Sequence, residues 1–91
     1  MVKKEVVIRS KHGLHARPSA KISELAQFFG DTNIRLIDPS DGTDADAKSI
    51  LSILTMTKES GQSVIVTADG PDEQKAVDEI VGIIDGFSVD N

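Results

Sequence analysis

Apolar residues recur along this chain in two rhythms, and the order in which the rhythms alternate outlines a fold. Between Lys4 and Ser10 the β-branched run Val6, Val7, Ile8 puts Val6 and Ile8 on one face, as a half-buried strand requires. Lys11 to Leu14, with Gly13, follows as a loop. From Pro18 the spacing changes: Ile22, Leu25, Ala26 and Phe29 recur at helical intervals, with Pro18 tolerated in the first turn and Gly30 placed as a C-terminal cap. Thr32 to Asp38 returns to strand character through Ile34, Leu36 and Ile37. Pro39, Ser40, Asp41 and Gly42 then supply turn chemistry before a short polar strand ending near Ala47.

Ser49 to Thr57 carries Ile50, Leu51, Ile53, Leu54 and Met56, too dense a set for a one-sided stripe. A short helix there leaves apolar side chains exposed. Ser63 to Ala68 is a further β-branched strand, and the Asp69, Gly70, Pro71 turn opens a helix running to about Asp85, with Gly86 at its end. The core stripe expected of that helix is Ala76, Val77, Ile80, Ile83 and Ile84. The order β-α-β-β-α-β-α predicts an α+β open-faced sandwich: a four-stranded, mostly antiparallel sheet with three helices on one face and water on the other.

Composition narrows the functional classes. A chain of 91 residues is expected to form a single domain, residues 1–91, with one compact core. It has no cysteine, so thiol catalysis, iron–sulfur clusters and cysteine-ligated zinc are excluded; a reducing, cytoplasmic setting is expected. No apolar run has the length of a membrane span, and the charged N-terminal stretch lacks a signal-peptide core. The net charge of −5 conceals a polarity: residues 1–35 carry seven basic and three acidic side chains, residues 36–91 three and twelve, or +4 against −9. A basic pole of this kind suits a phosphate or an acidic partner. With only three phenylalanines and no other ring except histidine, nucleic-acid stacking is not expected. No serine stands in a recognisable relation to a histidine and an acid, so a hydrolase is not expected either.

Candidate chemistry concentrates at Gly13-Leu14-His15-Ala16-Arg17-Pro18, where a histidine and an arginine immediately precede the strongest helix signal. A helix start offers unpaired N–H groups and partial positive charge, which bind phosphate and bias a nearby imidazole toward its neutral, nucleophilic form. The Arg17 fork matches phosphate oxygens, so a phosphoryl group on His15 would have partners to hold it. On residue type alone, a histidine beside an arginine at such a place is more often plain solvated surface.

The string as a whole resembles the active-site motif of the HPr family, the histidine-containing phosphocarriers of the bacterial phosphoenolpyruvate-dependent sugar phosphotransferase system. Asp46-Ala47-Lys48-Ser49-Ile50-Leu51 is similar to the family's second motif, around its regulatory serine, and the length and element order match as well. The resemblance implies that His15 accepts a phosphoryl group on Nδ1 from phosphorylated Enzyme I and passes it to a sugar-specific enzyme IIA, with Arg17 steadying the phosphate. It implies a carrier with no cofactor, not an enzyme, and a monomer. It further implies Ser49 as a regulatory site, modified by an HPr kinase/phosphorylase where one exists and read by a catabolite-control transcription factor. Phosphorylation there would add about −1.5 to −2 charge at a helix start, where the dipole tolerates it; Ser49 as a simple N-cap, contributing about 1 kcal/mol, is compatible with the same role.

The family's docking surface implies Ser19, Ala20, Ile50, Leu51 and Leu54 as partner contacts, rimmed by Lys11, Arg17, Lys21 and Lys48. The alternative within the same fold is a regulatory binding module that acts through Ser49 phosphorylation, with His15 incidental. The chain departs from the family pattern at Ser19, where alanine is usual, at Ser52, often glycine, and in a longer loop from Asp38 to Asp44. It departs also at His12, commonly small and polar; a hydrogen bond to the phosphate and no role at all are the two alternatives there, and no role is expected. Two loop histidines without a third ligand give no metal site.

Overall fold

The computed structural model describes residues 1–86. The observed elements are β1 (Val2–Val7), α1 (Ala16–Gln27), β2 (Asn33–Ile37), β3 (Asp44–Asp46), α2 (Ile50–Leu54), β4 (Ser63–Asp69) and α3 (Glu73–Gly86), in the predicted β-α-β-β-α-β-α order. The four strands form one antiparallel sheet in the order β1-β4-β2-β3, with β4 central between β1 and β2. All three helices lie on one face, giving the open-faced sandwich.

Strand alternation explains the two sheet surfaces. Val6, Ile34, Leu36, Val64, Val66 and Ala68 point inward and are buried. Against them pack Ile22 and Ala26 of α1, Ile53 of α2, and Ala76, Val77, Ile80, Val81 and Ile84 of α3. Lys3, Glu5, Val7 and Asn33 on the opposite surface are exposed. There Arg35 of β2 reaches across to Asp44 of β3 at 2.8 Å.

Several boundaries and orientations differ from the expectation. β1 lies earlier than Lys4–Ser10, because at Ser10 the chain turns into the loop: Gly13 N–H donates to the Ser10 carbonyl at 3.1 Å, and the Ser10 hydroxyl donates to the Gly13 carbonyl. α1 opens two residues before Pro18, and its C-cap is Phe28, whose N–H reaches the Leu25 carbonyl at 3.0 Å; Gly30 lies beyond and does not adopt the left-handed conformation of a capping glycine. On α3, Val81 is buried where Ile83 was expected, and Ile83 is half-buried. At 3.6 residues per turn Ala76, Val77, Ile80, Val81 and Ile84 share one arc of the helix, and Ile83 falls at its edge.

A buried ion pair that local pattern does not announce joins the β2–β3 connection to the loop before β4. Lys58 Nζ lies 3.1 Å from Asp38 Oδ2, with 3% and 11% of the two side chains exposed. The Ser40 hydroxyl and backbone N–H, and Lys58 more weakly, hold the Asp38 carboxyl below the ordinary carboxylate range. This pair anchors the segment on which the histidine loop rests.

Candidate functional site

The loop that carries His15 is fastened at both ends. Leu14 buries its side chain and donates its N–H to the Lys58 carbonyl at 3.1 Å. Gly13 has φ +70° and lies so close to the same segment that a Cβ would fall 2.0 Å from the Lys58 oxygen. Only glycine meets both conditions without displacing the backbone. His15 then leaves the loop in extended conformation as the N-cap of α1.

The cap is made by the imidazole itself: the backbone N–H of Arg17 points at His15 Nδ1, 3.4 Å away. A nitrogen that accepts a hydrogen bond carries the lone pair, so the geometry assigns the proton of the neutral ring to Nε2 and leaves Nδ1 nucleophilic. Burial of the half-buried ring, then the charges of His12 and Arg17, hold it below the ordinary histidine range. The neutral form of His15 is therefore favoured, with Nδ1 turned toward the positive end of a three-turn helix. The Arg17 side chain is exposed on the same rim.

Ser49 lies elsewhere on α1's flank. It caps α2, accepting from the Ser52 N–H at 3.2 Å. The preceding residue is tied to α1 by Ser23 Oγ and Gln27 Nε2, both donating to the Lys48 carbonyl at 2.9 and 3.2 Å. Ser49 thus sits near the second half of α1, roughly two helical turns from His15 at 5.4 Å per turn. Because α2 is only five residues long, tolerance of charge at Ser49 rests on its local cap more than on a helix dipole.

The residues of the predicted apolar surface lie on α1 and α2, which pack against each other. Leu51 is 73% exposed, Ile50 and Ala20 are exposed and Leu54 is half-buried, while Ile53 turns into the core. Ser19 does not belong to this surface. It is fully buried, with its hydroxyl donating to the Leu14 carbonyl at 3.2 Å, so it braces the histidine loop from below; position 19 on the helix faces inward with Ile22, Ser23 and Ala26.

His12 stands beside His15, a neighbour that the sequence pattern does not announce. Its ring stands edge-on to that of His15, with centroids 5.7 Å apart and planes at 84°. No sequence signal fixes the direction of a loop side chain; only the turn from Ser10 to Gly13 brings the two rings together. Among the described residues no group of three or more His, Cys, Asp and Glu side chains is placed to hold a metal, and no helix is long and apolar enough to cross a membrane.

Fold and site together define a small open-faced sandwich with a half-buried imidazole at the start of its first helix. Residues 2–85 match the family described as the PTS HPr component phosphorylation site. The phosphocarrier protein NPr of Escherichia coli is 37% identical over 90 residues, covering 98% of each chain, and the phosphocarrier protein HPr of Cupriavidus necator is 37% identical over 84 residues, covering 92% of this chain and 91% of its own. The crystal structure of HPr from Thermoanaerobacter tengcongensis superimposes with a TM-score of 0.87 at 32% identity, over 96% of this chain and 94% of that one. The chain belongs to the HPr family of phosphocarrier proteins. It is a carrier of phosphoryl groups rather than an enzyme.

Proposed function

We propose that residues 1–91 act as one HPr-like domain in the cytoplasm, in which His15 accepts a phosphoryl group on Nδ1 from phosphorylated Enzyme I and passes it to a sugar-specific enzyme IIA. The observation that carries this reading is the cap of α1, where a neutral imidazole turns Nδ1 toward the Arg17 N–H at 3.4 Å. As phosphorus bonds to Nδ1 its bond to the donor breaks, and the new phosphate oxygens meet the N–H groups of the first turn. The Arg17 guanidinium supplies forked donors to the same oxygens. Ile50, Leu51 and Ala20, with Leu54 beneath them, form the docking surface, and the partners contribute most of the transition-state stabilisation.

Ser49 is the regulatory site in this reading, open to an HPr kinase/phosphorylase and, once modified, to a catabolite-control transcription factor. Its place at the edge of the docking surface supports control of partner choice without contact with His15.

Incubation with phosphoenolpyruvate, magnesium and a bacterial Enzyme I should add one acid-labile phosphate to the wild type, read by intact-protein mass. His15→Ala should gain none while keeping its circular dichroism spectrum. A phosphate retained by His15→Ala would sink the proposal and leave the Ser49-centred regulatory module as the alternative.

A further inference from the structure

His12 plays no part in the chemistry above, yet the turn from Ser10 to Gly13, held to Lys58 through Leu14, sets its ring edge-on to His15 at 5.7 Å. The side chain is exposed.

We propose that His12 is a proton-linked positioning residue for the phosphorylated carrier, its imidazolium facing the phosphoryl group on His15 so that loading the carrier also binds a proton at His12. The inference rests on the carrier reading and adds pH control to that site.

Phosphorus would be bonded directly to a ring whose centroid is 5.7 Å from that of His12. Its oxygens therefore fall inside the Debye length of about 10 Å at 0.1 M salt, whichever rotamer the phosphate adopts. An anion at that range favours the charged imidazole, and the charged imidazole in turn favours the anion, by the same free energy. The proximity already acts in the unmodified protein, where positive charge on His12 opposes protonation of His15.

The other ionisable groups near the loop in sequence or beneath it are Arg9, paired with Asp85 at 3.7 Å, Lys11 beside His12, Arg17 and Lys21 on α1, and Lys58 and Glu59 on the segment beneath Gly13, whereas Lys48 reaches the Gly30 carbonyl at the far end of α1. Lys58 is paired with Asp38 at 3.1 Å, and α2 has no ionisable side chain. Lysine, arginine and carboxylate side chains do not ordinarily change charge between pH 5 and 8, whereas imidazole does. The sign follows. The loaded form binds more protons at His12 than the empty form, so the His12 contribution favours loading as pH falls through the histidine range and favours release as it rises, in addition to the phosphoryl group's own titration.

Phosphoramidate serves as a donor that needs no partner protein. Its monoanion gives up phosphorus to Nδ1 of His15 as its own P–N bond breaks, and the nitrogen leaves as ammonia with the donor's proton. The loaded and empty full-length protein are then titrated by NMR on the His12 ring resonances. These are expected to titrate at higher pH in the loaded form.

In parallel, the equilibrium of loading by Enzyme I should shift toward the loaded wild type by roughly tenfold more between pH 8 and pH 6 than it does for His12→Asn, which keeps a polar side chain but does not titrate. Phosphate on His15 with His12 titrating at the same pH in both forms, or an identical pH dependence in His12→Asn, overturns the role of His12 alone. Absence of any phosphate on His15 removes the carrier reading and this inference together.

Discussion

Gly13→Ala is expected to destabilise the protein by about 2–4 kcal/mol and to slow phosphorylation of His15, although it adds a single methyl group two residues away. The left-handed backbone at φ +70° costs a non-glycine residue roughly 1–2 kcal/mol. The added Cβ would lie 2.0 Å from the Lys58 carbonyl oxygen and 2.9 Å from the Glu59 Cα, backbone atoms that cannot swing aside as a flexible side chain would. Something must shift, and the bond from Leu14 N–H to the Lys58 carbonyl is the contact that opens. His15 follows directly, so its Nδ1 loses register with the first turn of α1. Thermal unfolding should fall by about 10 °C or more at this chain length, and the rate of phosphate gain from Enzyme I should fall with it. A wild-type melting temperature would show that the loop relaxes at little cost, and that the close approach to Lys58 does not hold the site.

Leu51→Asp is expected to do the reverse, sparing the fold and impairing transfer. The side chain is 73% exposed, so its removal opens no cavity and stability should change by no more than about 0.5 kcal/mol. An exposed leucine at the centre of an apolar surface contributes when a partner covers it. Replacing it by a carboxylate leaves a charge without water, and transfer with Enzyme I or an enzyme IIA should fall by about tenfold to a hundredfold in kcat/KM. Phosphoramidate needs no docking surface and should load Leu51→Asp as fast as the wild type. Equal loss with both donors would place the defect at His15 and not in docking.

The fold was legible wherever local pattern and tertiary demand agree. Ile22 and Ala26 on α1 and Val64 and Val66 on β4 follow their periods and are all buried. The elements came out in the order that pattern implied. Legibility failed where burial depends on a partner distant in sequence. Ser19 reads as polar surface but is buried because the Leu14 carbonyl satisfies its hydroxyl. Lys58 stands in a stretch of loop residues where no pattern marks it for burial, yet it is buried because Asp38 reaches it from the β2–β3 connection. The site divides in the same way. His15 and Arg17 stand out through their position before a helix and through the family motif. His12 does not, since its contact with His15 is a product of loop geometry.

The proposed carrier takes its phosphate on Nδ1 of His15 because that nitrogen faces the opening turn of α1 while the cap fixes the ring. The most direct test is NMR of ¹⁵N-histidine-labelled protein loaded by Enzyme I and phosphoenolpyruvate, reading the phosphorus–nitrogen coupling. Coupling to Nδ1 of His15 is the predicted result. Coupling to Nε2, or to a nitrogen of His12, would contradict the assignment of the reactive atom and the account of the helix cap built on it.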